Sequence, residues 1–285
     1  MKKILSLALV LIMLMSSLLI MSSCGKEDMK IGKQYNALTS QTDVLVQLNA
    51  GSIDVGVMDS IMAGYYMSQD SAYSDTLMIV EDLTLATEQY GIAARKGSGF
   101  AKKINEAIIA MANDGSLETL AAKYGIASEL CVDKNATVDP LTESEKADWN
   151  DIVAEGKFVV GYTLFAPIAY ENEEGTLIGF DIELAKAVAE KLDLEVGFKK
   201  IEWAAKEAEL NGGSIDCIWN GMTINDERLE AFEISVPYLN NKQVAVIRKE
   251  DKATYTDTES MKDAIMGAEA GSAGEGCVIV VKEEK

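Results

Sequence analysis

From residue 40 onward, the sequence alternates short apolar runs with longer amphipathic segments, and this alternation limits the fold more than any other feature. The apolar runs predict strands at 53–57, 91–95, 158–161, 194–198, 215–219, 243–247 and 264–268. The longer segments predict helices at 42–48, 60–67, 100–112, 117–124 and 180–192. Strands that alternate with helices in this way are typical of parallel α/β sheets. The sequence therefore predicts an α/β protein built on parallel sheets.

The tetrapeptide Gly-Ser-Ile-Asp occurs at 51–54 and again at 213–216, each time between a predicted helix and a predicted strand. A glycine that ends a helix, followed by Asp at the strand entrance, accounts for the repeat locally. The repeat also suggests two lobes that are built alike. The strands that follow it end at residues 58–60 and 220–223. Because the carboxyl ends of strands carry the ligand-binding loops in such sheets, we expect these two ends to form one polar site between the lobes.

The first residues form a second clear pattern. Two lysines precede an apolar run over residues 4–21, and two serines followed by Cys24 come after it. This is the pattern of a secretory signal, and the Cys makes it resemble a bacterial lipoprotein signal, in which residues 1–23 are removed and Cys24 carries lipid. An uncleaved membrane anchor is the alternative, since the run is nearly long enough to span a bilayer. Both interpretations place the body of the protein outside the cytoplasm, at the membrane.

Composition excludes several classes of partner. The formal net charge is −20 at pH 7 and there is no His. Strong negative charge disfavours nucleic acid and anionic lipid surfaces, and the lack of His removes the commonest metal ligand and general base. The cysteines Cys131, Cys217 and Cys277 lack metal-ligand spacing, and Cys217 lies in an apolar strand pattern typical of a core residue. No metal site, cofactor or disulfide framework is predicted.

A set of motifs lies between residues 157 and 250. Its members are KFVVGYTLFAP at 157–167, GFDIEL at 179–184, GMTINDER at 221–228 and SVPY at 235–238. The set resembles the first half of the type II periplasmic amino-acid-binding proteins, the family 3 solute-binding proteins of ABC importers. The resemblance implies a two-lobed α/β fold with a ligand cleft between the lobes. It also implies a protein that captures a free amino acid and delivers it to the importer's permease.

Two other stretches resemble the rest of that family, but their order is exchanged. Residues 264–275 resemble the strand, loop and helix that open the family's second lobe, and residues 37–126 resemble its last third. In the family, the second of these stretches follows the first. The resemblance therefore implies a circular permutation in which the polar segment 127–148 joins the family's usual termini.

The permutation divides the chain into two lobes. Lobe 1 is expected to be continuous, over residues 92–242. Lobe 2 is expected to be assembled from the two chain ends, residues 29–91 plus 243–285. The chain would cross between the lobes near Tyr90 and near Asn240-Asn241, which are the candidate hinges.

The resemblance also implies roles for single residues. Arg228 matches the Arg that clamps the ligand α-carboxylate, which suits a planar guanidinium with paired donors. Thr223 and the carbonyl of Gly221 match groups that contact the carboxylate and the α-ammonium, and Asp59 matches the acid that pairs with the ammonium. Without the flanking motif, Arg228 would be interpreted as a helix-surface residue paired with a neighbouring acid, and Asp59 as an N-cap.

The walls of the expected cleft are aromatic and backbone groups. Phe165 and Trp203 match two positions that enclose the ligand side chain, where rings supply apolar contact and stacking. Trp219 is instead interpreted as a core residue, the usual place of a lone aromatic in an α/β lobe. Ser272 and Ala273 lie in a loop before a helix and can offer backbone N–H groups to a carboxylate.

Three further positions bear on the ligand. Asn220 lies at the same strand end as Gly221. Tyr162 stands where many relatives carry an Asp that reads a cationic or amide side chain, and Glu269 stands at a variable position close to the side-chain pocket. A buried Glu without a cation is costly or becomes protonated. These residues favour a ligand with a donor-bearing side chain over an acidic one.

Three alternatives are weighed against a binding protein. A dehydratase on the same fold would share the motifs, but the sequence offers no His, nucleophile elbow or metal cluster. A sensor would need a second membrane span and a signalling domain, and neither follows residue 285. A degenerate fusion is disfavoured because Asp59 and Arg228 are both present. We therefore expect a monomeric, lipid-anchored binding protein and no enzyme activity.

Overall fold

A computed structural model of the protein describes residues 28–69 and 71–280. Cys24 and the apolar run before it lie outside the described residues. Among the helices in the described ranges, none is both long enough and apolar enough to span a bilayer.

The described chain alternates strands and helices as the sequence predicts. The strands are β1 (Asp28–Met29), β2 (Gln34–Leu38), β3 (Val55–Asp59), β4 (Leu77–Ile79), β5 (Ala86–Arg95), β6 (Lys157–Tyr162), β7 (Tyr170–Glu171), β8 (Leu177–Ile178), β9 (Glu195–Lys200), β10 (Cys217–Thr223), β11 (Phe232–Ile234), β12 (Leu239–Arg248), β13 (Ile265–Glu269) and β14 (Ile279–Val280). The helices are α1 (Gln41–Asn49), α2 (Ser60–Gln69), α3 (Ser71–Ser74), α4 (Phe100–Asp114), α5 (Ser116–Lys123), α6 (Glu143–Glu155), α7 (Phe180–Leu192), α8 (Lys206–Asn211), α9 (Asp226–Ala231) and α10 (Ala273–Val278). Every predicted strand and helix overlaps one of these elements.

One sheet of ten strands runs through the molecule in the order β2-β13-β3-β12-β5-β10-β6-β9, with β4 paired to β12 and β11 to β5. The prediction of parallel sheets is right only for the two ends of this order. There, β2-β13-β3 and β10-β6-β9 run parallel. The prediction is wrong for β5 and β12, which run antiparallel to each other and to their outer neighbours β10 and β3. The reason is that β5 carries the chain from one lobe to the other and β12 carries it back.

The two parallel groups define the lobes. Lobe 2 contains β2, β13 and β3 with α1 and α10 packed on them, and lobe 1 contains β10, β6 and β9 with α7 packed on them. The predicted crossing points lie opposite each other, because Tyr90 pairs with Leu239 and Gln89 pairs with Asn240. Cys217 and Trp219 are fully buried, which confirms their interpretation as core residues.

The repeated Gly-Ser-Ile-Asp segment makes the same backbone contact in each lobe. The Oδ2 atom of Asp54 accepts the N–H of Ile265 at 2.8 Å, and the Oδ2 atom of Asp216 accepts the N–H of Val159 at 2.9 Å. Each Asp therefore holds the start of the neighbouring parallel strand, which a glycine helix stop alone would not do.

The same two carboxylates also hold the crossing strands. The Nη2 atom of Arg248 lies 3.5 Å from Asp54 Oδ1, and the Nη2 atom of Arg95 lies 3.0 Å from Asp216 Oδ1. In each case the Nη1 atom donates to the carbonyl of the Ile that precedes the Asp. Arg95 and Arg248 end β5 and β12, so each crossing strand is fastened at its far end by an equivalent Arg–Asp pair.

Candidate functional site

A cavity lies between the lobes. The carboxyl ends of β3, β10 and β13 and the loop after β6 surround it. The structure brings ten of the eleven residues predicted to contact a ligand into its lining, namely Asp59, Phe165, Trp203, Asn220, Gly221, Thr223, Arg228, Glu269, Ser272 and Ala273. Gln41, Thr163 and Leu164 complete the lining.

Tyr162 is the predicted residue that lies outside this lining. Its ring packs edge-on against Phe198, with the ring centroids 6.4 Å apart, and it belongs to a small apolar cluster with Ala169 and Ile182. Successive side chains of a strand point to opposite faces. Tyr162 therefore faces the interior of lobe 1, while the next residue, Thr163, reaches the cavity.

Asp59 ends β3 and is 5% exposed. Its Oδ1 atom accepts hydrogen bonds from Tyr90 Oη at 2.7 Å, from Gln243 Nε2 at 3.0 Å and from Asn241 Nδ2. Its Oδ2 atom accepts one from Gln41 Nε2. The four donors are all uncharged. They fix the carboxylate in place and leave its negative charge without a cationic partner.

The charge at Asp59 is strongly influenced by its surroundings. Burial, reinforced by the nearby carboxylate of Glu88, raises the pKa of Asp59 well above the usual range of a carboxyl. A cation that entered the cavity would oppose both effects and favour the ionised form. The site is therefore arranged to accept positive charge next to Asp59.

Arg228 provides the opposite charge and is 6% exposed. Its backbone N–H bonds to the side chain of the α9 N-cap, Asn225, at 2.8 Å. Its Nη1 donates to the carbonyl of Thr223 at 2.8 Å, and its guanidinium carbon lies 5.9 Å from the centroid of the Trp203 ring. No acidic side chain of the described residues lies within 4.0 Å as an ion-pair partner of Arg228, so the alternative of a surface salt bridge is wrong.

The carbonyl of Gly271, in lobe 2, accepts three hydrogen bonds from lobe 1. The donors are Trp203 Nε1 at 3.1 Å, Lys206 Nζ at 3.2 Å and Arg228 Nη2 at 3.2 Å. Lys206 is 5% exposed, and burial, followed by the charge of Arg228, lowers its pKa to about 8. One backbone oxygen thus joins the lobes next to two residues of the cavity lining, Trp203 and Arg228.

Gly221 lies in β10 and packs tightly against two aromatic rings. Its φ is +61°, and a Cβ atom there would lie 2.7 Å from the Phe165 ring and 3.0 Å from that of Tyr90. Its N–H donates to Asp181 Oδ2 at 2.8 Å, and the hydroxyl of Tyr238 donates to the same atom at 2.8 Å. Asp181 lies in the first turn of α7 and is fully buried. It positions the Gly221 backbone without reaching the cavity.

Several residues of the site were not predicted. Asp181 lies inside the GFDIEL motif, but nothing local indicates that it contacts Gly221. Asn241 and Gln243 belong to a run of four polar residues, 240–243, that interrupts the apolar pattern of β12, which is the one signal that would have indicated a polar environment here. Gln41 and Lys206 have no such signal. Gln41 contacts Asp59 within lobe 2, and the contact of Lys206 with Gly271 depends on how the two lobes meet.

The arrangement suits a small zwitterion. The carboxyl of Asp59 and the guanidinium of Arg228 stand on different lobes, and the rings of Phe165 and Trp203 add apolar surface to the same lining. Asn220 donates to Thr163 Oγ1 at 2.8 Å, and this hydrogen bond holds two further polar side chains of the lining in place. Among the described residues, no group of His, Cys, Asp or Glu side chains has the arrangement of a metal site.

Known proteins resemble this chain over part of its length. The sequence model of the family described as "Bacterial extracellular solute-binding proteins, family 3" matches residues 158–280. The "L-cystine-binding protein TcyJ" of Escherichia coli (strain K12) is 28% identical over 124 residues, which are 43% of this chain and 47% of the relative. The "Probable amino-acid ABC transporter-binding protein" of Haemophilus influenzae is 35% identical over 102 residues, which are 35% of this chain and 40% of the relative. These relatives are named as binding proteins and not as enzymes.

A solved structure also matches in part. It is the substrate-binding protein of an ABC uptake transporter from Streptococcus pneumoniae with bound histidine, 40% identical over 30% of this chain and 35% of that one, with a TM-score of 0.29. The chain spans less than half the length of the two curated relatives that it matches.

We expect Asp181→Asn to remove a pH dependence from the stability of the protein. Burial raises the native pKa of Asp181 to about 7, whereas an unfolded Asp has a pKa of about 3.9. Below that value both states are protonated. Between the two values only the unfolded state loses its proton, so the free energy of unfolding falls as the pH rises, and above about 7 the loss is complete. Asn cannot ionise and escapes this loss.

Urea unfolding at pH 4.5 and pH 8 measures the effect. The free energy of unfolding of Asp181→Asn, taken relative to that of the wild type, should be higher at pH 8 than at pH 4.5 by on the order of a few kcal/mol. Asp139→Asn, at an exposed position, serves as the control, and its free energy of unfolding should stay close to that of the wild type at both pH values. If the difference in the free energy of unfolding between the wild type and Asp181→Asn does not change with pH, the pKa of Asp181 is not raised in the folded protein.

Proposed function

We propose that this chain, whose residues 158–280 match the sequence model of the bacterial extracellular solute-binding proteins of family 3, captures a free amino acid and delivers it to the permease of an ABC importer. The observation that carries the proposal is the buried carboxyl of Asp59 and the buried guanidinium of Arg228 in one cavity between two lobes. Neither has an ion-pair partner within 4.0 Å among the described residues. A zwitterionic ligand would supply both partners. One relative is named as an L-cystine-binding protein and another as a probable amino-acid ABC transporter-binding protein, and these names support the same ligand class.

Each end of the ligand has a place in this proposal. Arg228 takes the α-carboxylate, assisted by Thr223 and by the backbone N–H groups of Ser272 and Ala273. Its guanidinium has five N–H donors, of which two are engaged by backbone carbonyls, so a bidentate clamp is still available. Asp59 takes the α-ammonium.

The remaining lining residues complete the pocket. Phe165 and Trp203 enclose the ligand side chain. The carbonyl of Gly221 adds an acceptor for the α-ammonium, and Asn220 lies beside it.

We further propose that the protein acts outside the cytoplasm as a lipid-anchored monomer. The basic start, the apolar run over residues 4–21 and the small residues before Cys24 support processing at Cys24. The alternative of an uncleaved anchor would retain the first 23 residues. Both would hold the binding cleft near the permease.

The exchanged order of the lobe 2 segments is proposed to be a circular permutation. Strand β13, from the C-terminal part of the chain, lies between β2 and β3, from the N-terminal part, within one sheet of one chain. Residues 28–29 and 279–280 pair antiparallel, so the two described ends lie side by side. On this proposal, lobe 1 is residues 92–242 and lobe 2 is residues 29–91 plus 243–285.

Arg228→Ala and Asp59→Asn should each remove most of the amino-acid binding. Truncation of one partner of a buried charge pair costs about 2–5 kcal/mol, or about 30- to 5000-fold in affinity. Trp203→Ala should weaken binding less, through loss of wall contact. Titration calorimetry, after a thermal-shift screen of the common amino acids, gives the affinities, and circular dichroism reports the fold. Lys134→Ala, an exposed cation away from the cavity, is the matched control. Unchanged affinity in a folded Arg228→Ala variant would refute the clamp.

Cys24→Ala should abolish lipid attachment, because the thiol is the group that would be acylated. Metabolic labelling with a fatty acid, followed by membrane fractionation, measures this. We expect unlabelled protein that is either released or retained as precursor. Labelling that persists in Cys24→Ala would exclude the anchor, whereas Cys131→Ala should label like the wild type.

A rearranged chain tests the permutation. Residues 143–280, followed by a short Gly-Asn turn and residues 28–126, restore the order of the family. Because residues 28 and 280 are paired neighbours, the new join requires little change in the fold. We expect a monomer by light scattering that binds the same amino acid within about threefold of the parent chain, since the rearranged chain keeps every residue of the cavity lining. An insoluble or non-binding rearranged chain, beside a parent that binds, would contradict the proposal.

A further inference from the structure

Glu269 is a buried carboxylate without a partner. It ends β13, it is 4% exposed, and it lines the cavity. Among the described residues, no side chain or backbone N–H donates a hydrogen bond to its carboxylate, and no Lys or Arg lies within 4.0 Å of it. Asp59 differs from it in this respect, since four neutral donors hold the carboxylate of Asp59. Glu269 is therefore the one acidic group of the lining that nothing in the described protein satisfies.

The position of Glu269 relative to Asp59 follows from the sheet. Strands β13 and β3 are parallel neighbours, with Met266 beside Val55 and Gly267 beside Gly56. Their carboxyl ends therefore lie next to each other, and the two acids stand at adjacent strand ends on the lobe 2 side of the cavity. The guanidinium of Arg228 stands on the lobe 1 side.

Lys206 does not neutralise Glu269 by direct contact. Its ammonium donates to the carbonyl of Gly271 at 3.2 Å and lies 5.0 Å from the centroid of the Trp203 ring. The cavity thus presents two carboxylates without a contacting cation and one guanidinium without a contacting anion. A neutral zwitterion would satisfy one acid and the guanidinium, and it would leave the second acid buried and unpaired.

An unpaired carboxylate in a closed cavity is unfavourable in its charged form. Burial, followed by the charge of Asp59, raises the pKa of Glu269 to about 8, and Lys206 opposes this only in part. In the absence of another cation, the side chain holds a proton near neutral pH. A cationic group beside it would favour the ionised form and make a charge-assisted contact of the stronger kind.

We infer that the site selects amino acids with a cationic side chain, and that Glu269 is the residue that recognises that cation. The inference rests on the proposed function. A ligand with two cations and one carboxylate matches the lining charge for charge: its α-ammonium meets Asp59, its side-chain cation meets Glu269 and its carboxylate meets Arg228. Glu269 is in this way a specificity-determining residue, separate from the two residues that hold the groups common to every amino acid.

The test compares ligands that differ in side-chain charge. Calorimetric affinities are measured for L-lysine, L-ornithine and L-arginine, for the neutral L-glutamine and for the acidic L-glutamate, with the wild type and with Glu269→Gln. We expect the best cationic ligand to bind the wild type at least about tenfold more tightly than glutamine. Glu269→Gln should weaken that ligand by about 10- to 100-fold and change glutamine binding by less than about threefold, since a charged hydrogen bond contributes about 1.5–3 kcal/mol.

A matched control separates direct contact from a general charge effect. Glu202 is an exposed acid close enough to influence the charge of Glu269, but it does not line the cavity. Glu202→Gln should leave the affinity for the cationic ligand within about threefold of the wild-type value, because exposed charges are screened by solvent. An equal loss in both variants would overturn the assignment to Glu269.

The outcomes also separate this inference from the proposed function. If glutamine or glutamate binds the wild type as tightly as the cationic ligands, or if Glu269→Gln weakens all ligands equally, the cation preference is wrong and amino-acid binding stands. If no amino acid binds the wild type while the protein is folded, both are wrong. If Glu269→Gln does not fold, Glu269→Ala and Glu269→Asp are measured in its place, and Asp should retain more of the cation affinity than Ala.

Discussion

The antiparallel pairing of Ala86–Arg95 with Leu239–Arg248 is the contact on which the rest of the structure depends. These two strands are the backbone connection between the lobes in the middle of the sheet, and each is fastened at its far end by an Arg–Asp pair, Arg95 with Asp216 and Arg248 with Asp54. Residues in the first half of each strand, Tyr90 of one and Asn241 and Gln243 of the other, donate hydrogen bonds to the carboxylate of Asp59. The segments that join the lobes therefore also order the acidic side of the cavity, so the connection and the site are one structural unit.

The charges of the cavity obey a second constraint. Buried ions are normally paired within the protein, since desolvation of an isolated charge is costly. Here the carboxyl of Asp59 and the guanidinium of Arg228 lie on opposite lobes, and each is held by neutral hydrogen-bond partners. If Asp59 and Arg228 contacted each other, they would form an ion pair, and neither group would be left to bind a charged ligand. Because they do not, the free energy that a pair would gain remains available to a ligand that bridges them.

The sequence allowed much of this to be predicted. Periodicity located each predicted strand and helix, and ten of the eleven residues predicted from the motifs lie in the cavity lining, because both kinds of signal are local. The lengths of β5 and β12 were underestimated because polar residues, such as Glu88 and Asn240, interrupt the apolar pattern where the strands cross between lobes. Gln41 and Asp181 were not predicted, since their contacts join segments far apart in the chain. Tyr162 was misplaced because a motif gives a position along a strand but not the face on which the side chain lies.

Arg228 connects ligand binding to the contact between the lobes. One of its nitrogens donates within lobe 1, to Thr223, and the other donates to Gly271 of lobe 2, beside Trp203 and Lys206. A carboxylate bound to the remaining donors would hold the guanidinium in the orientation that reaches Gly271, and contact with Gly271 would in turn hold the guanidinium ready for the carboxylate. Two interactions that require the same orientation of one group stabilise each other, because the loss of side-chain entropy is shared between them. On the proposed function, the lobes would consequently be joined most firmly when an amino acid lies between them.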